Sequence, residues 1–295
     1  MTRPILIDGN NLAYRSYYAH KSLTWEGEIT GTYHGFLNAV LRLKAQFGKE
    51  LIFCWDSPNS WRKEVCEQYK AKRTTKDNAE DRKQVRKHIV KLQSVVSDLG
   101  HPSFEVTRLE ADDLIGILSS RFPACYIHSS DRDFYQLLNE SIEIIAPTPL
   151  GPYKRITTKI VKKEYGISPL QWADYLSMGG DKSDGIKALP GIGPVKALDL
   201  VTIGAKPRQK WSEQPEVVRH RYARCERSWP ILTQIRGIVE IPRKILDLPL
   251  PERSQAKEIS RLRLERFSPE KDAVKTFLAH YGLTELMVRR KELFE

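Results

Sequence analysis

Cysteine is scarce in this sequence. The chain of 295 residues has only four, Cys54, Cys66, Cys125 and Cys225, and no two of them form a Cys-x-x-Cys pair. Their wide spacing argues against a disulfide framework and against a structural zinc site. We therefore expect four reduced thiols, as in proteins of a reducing cytoplasm.

Long hydrophobic runs are also missing. No apolar stretch reaches the roughly 20 residues that a transmembrane helix requires. The N-terminal segment, MTRPILIDGN, reaches an aspartate at position 8 and lacks the form of a secretory signal. These absences predict a cytoplasmic protein with no membrane partner.

The chain does have an excess of positive charge. It contains 48 lysines and arginines against 37 aspartates and glutamates, which gives a formal net charge of +11. An excess of this size favours a polyanionic partner such as nucleic acid, although many basic proteins bind none.

Short apolar runs alternate with helical patterns in the first half of the chain. The runs predict strands over 4–8, 50–56, 124–131 and 142–147. Their alternation with helices predicts an α/β fold with a mostly parallel central sheet flanked by helices. Strand signals fade after about residue 160. We therefore expect an α/β core over 1–160 and a helical region over 161–295.

Nine acidic residues stand at positions that suit a metal site. Asp8, Asp56 and Asp131 each end a predicted strand, and ligands of a parallel sheet bind at the carboxyl ends of its strands. The other six are Asp133, Glu110, Asp112, Asp113, Asp181 and Asp184. Any one alone is more often a turn former or a helix cap. Together in one cleft they would need cations, and oxygen ligands without histidine or cysteine favour Mg²⁺ or Mn²⁺.

A polar, highly charged segment over 57–83 follows the second strand. It is unusually long for a loop of a compact domain, which favours a functional role. Within its YKAKR motif, Lys70 and Arg73 would share one face of a helix. Tyr69, beside them, is a candidate for stacking on a nucleic-acid base.

The next helix, over 82–99, carries basic residues opposite its apolar stripe. They form either a solvated face or a cationic arch above the acidic cleft. The basic residues are Arg82, Lys83, Arg86, Lys87 and Lys91.

A glycine turn, LPGIGPVKAL, precedes a helix that begins near Pro194. Backbone N–H groups after Gly191 and Gly193 would point outward and favour an anion such as a DNA phosphate. Glycine turns between helices are common. The turn gains weight because Asp184 lies only seven residues before Gly191.

Together these segments resemble the 5′-nuclease, or flap endonuclease, family. The likeness is to stand-alone bacteriophage 5′–3′ exonucleases and to the 5′-nuclease domain of bacterial DNA polymerase I, and it runs from about residue 4 to 200. The motifs that carry it are LIDGNNLAYRSYYA, FCWDS, YKAKR, EADDLIG, SSDRDFYQLL and GGDKSDGIKALPGIGPVKAL.

The resemblance implies a PIN-like α/β core with a helical arch, about 57–95, and a helix-hairpin-helix extension, about 185–200. It implies two Mg²⁺ or Mn²⁺ ions. Asp8, Asp56, Glu110 and Asp112 would hold one ion and Asp131, Asp133 and Asp184 the other. Asp112 would lie between the ions, and Asp113 and Asp181 would act directly or through water.

For the substrate, the resemblance implies DNA with 5′ flaps, nicks or free 5′ ends, processed in replication and repair. Lys70 and Arg73 match a pair that contacts the scissile phosphate. Arg15 matches a DNA-contacting arginine, and Lys83, Arg86 and Lys87 lie in the arch that a 5′ strand would thread. The hairpin would bind duplex backbone, with K⁺, through Gly191, Gly193 and Lys196. We expect a monomer in a bacterial or phage-infected cell that acts alone or recruits a polymerase or replisome partner.

Three other functions compete with this interpretation. A PIN-like ribonuclease also uses acids at strand ends, but that class usually lacks the hairpin and the basic arch. A non-catalytic DNA junction binder would be expected to have lost some of the acids. A phosphatase or nucleotidase for small substrates would leave the arch and the hairpin without a role.

Overall fold

The structure, a computed structural model, describes residues 3–73, 75, 78–148, 151–244 and 247–295. The strands in these ranges are β1 (Ile5–Asp8), β2 (Thr24–Trp25), β3 (Glu28–Ile29), β4 (Leu51–Trp55), β5 (Ser103–Glu105), β6 (Cys125–His128), β7 (Ile142–Ala146) and β8 (Lys154–Ile156).

Six of these strands form one sheet in the order β5-β4-β1-β6-β7-β8, and β2 pairs with β3 as a separate hairpin. β1 lies at the centre and pairs in parallel with β4 and β6. β8 runs antiparallel to β7 at one end of the sheet. The predicted mostly parallel sheet is confirmed, and the four predicted strands are present. The short strands β2, β3, β5 and β8 were not predicted.

The central strand is buried on both faces. Ile5, Leu6 and Ile7 are fully inaccessible to solvent. Because successive side chains of a strand point to opposite faces, Ile5 and Ile7 join one apolar cluster and Leu6 joins another. A strand covered on both sides reads as a continuous apolar run, which is why the sequence shows it clearly.

Helices cover both faces of the sheet. In the described ranges they are α1 (Gly9–His20), α2 (Gly31–Phe47), α3 (Trp61–Val65), α4 (Ala79–Asp98), α5 (Ala111–Ser119), α6 (Thr158–Tyr165), α7 (Trp172–Gly179), α8 (Pro194–Thr202), α9 (Glu216–Arg221), α10 (Leu232–Val239), α11 (Ala256–Ser260), α12 (Lys271–His280), α13 (Thr284–Val288) and α14 (Arg290–Phe294). Short 3₁₀ helices lie at Ala71–Arg73, Arg132–Leu137, Pro169–Gln171, Trp211–Glu213, Ala223–Ile231 and Leu250–Gln255.

Every named element after β8 is a helix in the described ranges, and we call this part of the chain, from residue 157 onward, the C-terminal half. It packs back onto the sheet layers. Helix α12 contacts α4, and α13 and α14 contact α2. One apolar cluster runs without a break from Leu6 through Leu176 to Leu248. The division at residue 160 stays a prediction. No helix in the described ranges is both long and apolar enough to cross a bilayer.

Candidate nuclease site

The carboxyl edge of the sheet gathers the strand-end aspartates. Asp8 is the last residue of β1 and caps α1, with Oδ1 accepting a hydrogen bond from the Asn11 N–H at 2.9 Å. Its Oδ2 accepts a hydrogen bond from the Ser129 hydroxyl at 3.1 Å. Ser129 also accepts the N–H of Asp131 at 3.1 Å. One serine therefore ties the acids of β1 and β6 together.

Asp56 connects the end of β4 to the start of α5. Its Oδ1 accepts the N–H of Ala111 at 2.9 Å, and its own N–H donates to Asn10 Oδ1 at 3.0 Å. This contact brings the first residues of α5 to the same edge, and with them Glu110 and Asp112.

Burial and mutual repulsion dominate the electrostatics of this edge. Burial raises the pKa of Asp8 to about 7, and the nearby charges of Asp56 and Asp131 add to the shift. Burial is also the largest cause of the raised pKa of Asp112, to which Asp131 and Asp8 contribute. The same directions hold for Asp56, Asp131 and Asp133. These five aspartates therefore form one cluster in which neighbouring negative charges raise pKa values. They are Asp8, Asp56, Asp112, Asp131 and Asp133.

The turn Asp181–Ile186 completes the cluster from the C-terminal half. The charges of Asp184 and Asp181 both raise the pKa of Asp133, after burial and Asp131. Asp181 Oδ1 accepts the N–H groups of Ser183 at 2.7 Å and of Asp184 at 3.3 Å, which fixes the turn.

Lys70 and Arg73 lie directly against the acids, and their predicted contact with the scissile phosphate stays a prediction. The Lys70 ammonium donates to Glu110 Oε2 at 2.9 Å, and the Arg73 guanidinium pairs with Asp184. The backbone N–H of Lys70 donates to the Asp184 carbonyl at 2.8 Å. Gly185 makes this approach possible, because a Cβ there would lie 2.7 Å from the Gln68 carbonyl oxygen.

A ready-made metal cage is not present among the described residues. No three of their acidic, histidine or cysteine side chains are grouped closely enough to hold an ion. Lys70 and Arg73 supply positive charge to two of the acids, Glu110 and Asp184. The donor chemistry still fits divalent metal, since oxygen-only carboxylate sets suit Mg²⁺ and Mn²⁺. The remaining aspartates carry raised pKa values that added cations would relieve.

Asp113 does not join the cluster, and its predicted role as a metal ligand is not supported. Its two oxygens accept hydrogen bonds from Arg62 at 2.7 and 2.9 Å, and it is fully inaccessible to solvent. One of these oxygens also accepts the indole N–H of Trp61 and the backbone N–H of Glu110, both at 3.1 Å. The side chain therefore caps α5 from the core side.

Tyr69 is also placed differently from its prediction. Its ring is 4% exposed, and its hydroxyl donates to Glu110 Oε2 at 2.8 Å. Stacking of this ring on a DNA base is therefore wrong for this structure. The segment 57–83 is less loop-like than expected, because Trp61, Arg62 and Tyr69 are all buried within it.

A cleft of about 850 Å³ runs from the acids toward α1 and α4. Its lining includes Arg15 and Arg86, two of the predicted DNA contacts. Arg15 also donates to the Thr148 carbonyl at 3.0 Å. Lys83 and Lys87 are exposed on α4 and are not among the described residues that line the cleft.

Sequence reasoning missed several residues of this site. Asn10 and Asn11 follow Asp8 and Gly9 and hold neighbouring loops, and Ser129 bridges two acids. Arg62 is the largest omission, since it holds Asp113 and approaches Glu110 at 3.4 Å. For Asn10, Asn11 and Ser129 the available signal was a polar residue within three positions of Asp8 or Asp131.

The predicted glycine turn is present before α8. Gly191 has a left-handed backbone, with φ of 74°, and the Lys196 ammonium donates to its carbonyl at 3.2 Å. Ile192 is buried beneath the turn, whereas Val195 is 81% exposed. A Cβ at Gly193 would meet nothing within 4 Å, so the backbone there is open to a ligand.

Acids at the carboxyl ends of parallel strands, faced by basic side chains, are typical of metal-dependent enzymes that act on phosphate esters. Residues 3–166, more than half of the chain, match the family described as "5′-3′ exonuclease, N-terminal resolvase-like domain". The chain belongs to this family.

Two relatives show how the chain compares in length. The DNA polymerase I of Deinococcus radiodurans is 36% identical over 203 residues, which are 67% of this chain and 20% of that protein. The 5′-3′ exonuclease of Aquifex aeolicus is 30% identical over 203 residues, 66% of this chain and 68% of that protein. The chain spans about a fifth to a third of the length of the DNA polymerase I relatives it matches.

Two solved structures share the fold. The D15 protein of bacteriophage T5, co-crystallised with metal ions, has a TM-score of 0.71 at 16% identity, with 89% of this chain and 100% of that chain covered. Flap endonuclease-1 from Methanococcus jannaschii has a TM-score of 0.63 at 17% identity, with 99% and 91% covered.

Proposed function

We propose that this chain is a structure-specific 5′ nuclease that hydrolyses DNA phosphodiesters with two divalent metal ions. The observation that carries the proposal is the cluster of buried carboxylates at one sheet edge, with Lys70 and Arg73 against it. Ionised carboxylates at such a site need added cations, and the same cations would accelerate hydrolysis of a phosphodiester. Membership of the 5′-3′ exonuclease family supports the proposal.

The metal positions implied by the motifs fit this donor set, with one change. Asp113 forms a buried ion pair with Arg62, so we exclude it from the metal ligands. When bound, Mg²⁺ or Mn²⁺ would polarise the scissile phosphate and activate the attacking water. One ion would be held by Asp8, Asp56, Glu110 and Asp112, and the second by Asp131, Asp133 and Asp184, with Asp112 between them and Asp181 acting through water.

Lys70 and Arg73 would stabilise the charge that grows on the phosphate. Each now pairs with a carboxylate of the cluster, so binding of metal ions and substrate would release them for the phosphate. A positioned cation of this kind is worth on the order of 10²-fold in rate or more.

The substrate would be DNA with a 5′ flap, a nick or a free 5′ end. Arg15, Arg86 and neighbouring basic residues of α4 would hold the strand, and the turn at Gly191–Lys196 would hold the duplex backbone with help from K⁺. The T5 D15 protein and the catalytic core of Rad2 have been crystallised with DNA, which supports DNA as the ligand. We further propose a monomer that acts in replication and repair, in the cytoplasm of a bacterial or phage-infected cell, beside a polymerase or replisome partner.

The test uses Asp131→Asn on 5′-labelled flap, nicked and blunt duplexes in Mg²⁺, with matched RNA flaps. We expect the wild type to cleave DNA and Asp131→Asn to bind DNA without cleaving it. Asp272→Asn, the same change on the exposed surface of α12, is the matched control and should cleave normally. Normal cleavage by Asp131→Asn would refute the metal assignment. Binding without cleavage by the wild type would indicate a junction binder, and a preference for RNA would indicate a ribonuclease.

A further inference from the structure

Arg62 is a buried arginine of α3, near the start of the predicted arch, and each of its three nitrogens is hydrogen-bonded. The side chain is 2% exposed. Its Nη1 and Nη2 donate to the two oxygens of Asp113 at 2.9 and 2.7 Å. Its Nε donates to the Ile238 carbonyl at 2.9 Å, and Nη2 also approaches the Glu240 carbonyl at 3.4 Å. The planar fork of arginine suits this set, which the single ammonium of lysine cannot reproduce.

These contacts join three distant segments of the chain. Arg62 belongs to α3, Asp113 to the first turn of α5, and the two carbonyls to the end of α10 and the residue that follows it. The C-terminal half therefore contacts α3 directly through a buried side chain.

A chain of contacts leads from Arg62 into the reaction site. Its Nη1 lies 3.4 Å from Glu110 Oε2. The same oxygen accepts Tyr69 Oη–H at 2.8 Å and the Lys70 ammonium at 2.9 Å. One oxygen of Glu110 thus contacts both Arg62 and Lys70, so the position of this carboxylate depends on both.

A second arginine ties the same region together without touching Glu110. Arg108 pairs with Glu64 of α3 and with Glu252, whose side chain is 2% exposed. Arg108 has a left-handed backbone, with φ of 70°, so the loop before α5 is held in an uncommon conformation.

We propose that Arg62 is a positioning residue for cleavage, which sets the Glu110 carboxylate and through it Lys70. Its own position is set by the backbone carbonyls of Ile238 and Glu240. The C-terminal half thereby acts on the chemical step as well as on duplex binding. This inference rests on the proposed nuclease function, since it concerns the rate of that reaction.

The test compares Arg62→Lys with Arg108→Lys, a matched arginine that contacts the same C-terminal half but not Glu110. Single-turnover cleavage of a 5′-flap duplex in Mg²⁺ gives the chemical step, and fluorescence anisotropy in EDTA gives DNA affinity. We expect Arg62→Lys to slow cleavage about 10- to 100-fold, because a displacement of about 1 Å costs on this scale. DNA affinity should stay near that of the wild type. Arg108→Lys should lower the melting temperature but cleave at close to the wild-type rate.

A mutant cycle separates positioning from general destabilisation. If Arg62 acts through Glu110, then Arg62→Lys should add little to the loss caused by Glu110→Gln. Fully multiplicative losses would refute the proposal. So would a wild-type rate for Arg62→Lys at a temperature where the variant is folded.

A second variant keeps the test decisive if Arg62→Lys does not fold. Arg62→Met combined with Asp113→Leu removes both buried charges together, and apolar replacement of a buried pair is often tolerated. This double variant should fold and still cleave slowly, since Glu110 loses its support. Cleavage at the wild-type rate would overturn the inference. Failure of the wild type to cleave would instead refute the proposed function.

Discussion

The carboxylate cluster should make the metal-free protein less stable than it would be without one of its acids. Asp8 is 5% exposed, and burial, followed by the charges of Asp56 and Asp131, raises its pKa from 3.8 to about 7. We therefore expect Asp8→Asn to be more stable than the wild type in EDTA. The asparagine oxygen can still accept the Asn11 N–H, so the cap of α1 is kept.

The size of the effect follows from the linkage between protonation and folding. A pKa higher in the folded chain than in the unfolded chain favours folding below pH 3.8 and costs stability above pH 7. Relative to its value below pH 3.8, where Asp8 is protonated in both states, the free energy of unfolding of the wild type should be lower by at most about 4 kcal/mol at pH 8. At pH 5 it should be lower by about 2 kcal/mol. The gain in melting temperature for Asp8→Asn at pH 8 should be roughly 2–4 °C per kcal/mol.

Thermal unfolding in EDTA at pH 8 and pH 5 measures this gain, with Asp272→Asn as the control that should show none. Added Mg²⁺ or Mn²⁺ should stabilise the wild type more than Asp8→Asn, because a ligand that binds only the folded state raises its stability. The reasoning is refuted if Asp8→Asn is the less stable protein in EDTA at pH 8. It is also refuted if the difference does not narrow at pH 5.

Three further predictions concern other parts of the molecule. Lys70→Ala should slow single-turnover cleavage on the order of 10²-fold and change DNA affinity little; a loss confined to affinity would contradict its role. Lys196→Ala should weaken duplex binding and reduce the salt slope by about one, so an unchanged slope would exclude a phosphate contact. Burial lowers the pKa of His101 to about 3, and neither ring nitrogen has a hydrogen-bond partner in the part of the chain that the structure describes. Because the unfolded chain takes up a proton below pH 6.5, His101→Leu should lose about 2 kcal/mol less stability than the wild type between pH 7.5 and 5, measured by urea unfolding. Equal pH sensitivity would contradict this.

The meeting of strand-end aspartates could be predicted because parallel strands have a simple geometry. β1 ends in Asp8, Asp56 directly follows β4, and Asp131 lies three residues after β6, so neighbouring strands place these acids at one edge. The basic pair at 70 and 73 was predicted to contact a phosphate near the acids, and in the structure it lies against Glu110 and Asp184.

The different fates of Asp112 and Asp113 could not be predicted from spacing. Consecutive residues of a helix point about 100° apart, so one aspartate faces the cleft while the other faces the core. Which one does so depends on how α5 is rotated against Arg62, a contact between segments 51 residues apart. The prediction that Tyr69 stacks on a base failed for a similar reason. Its hydroxyl is hydrogen-bonded to Glu110, which is 41 residues away in the sequence.

The outer strands of the sheet are short and charged. β5 and β8 are three residues long, and both carry charge, at Glu105 and at Lys154 and Arg155. Short, charged outer strands offer another chain little backbone for intermolecular pairing, which is how many β-sheet proteins avoid aggregation. We therefore expect the protein to stay dispersed at the high concentrations that crystallisation and DNA titrations demand.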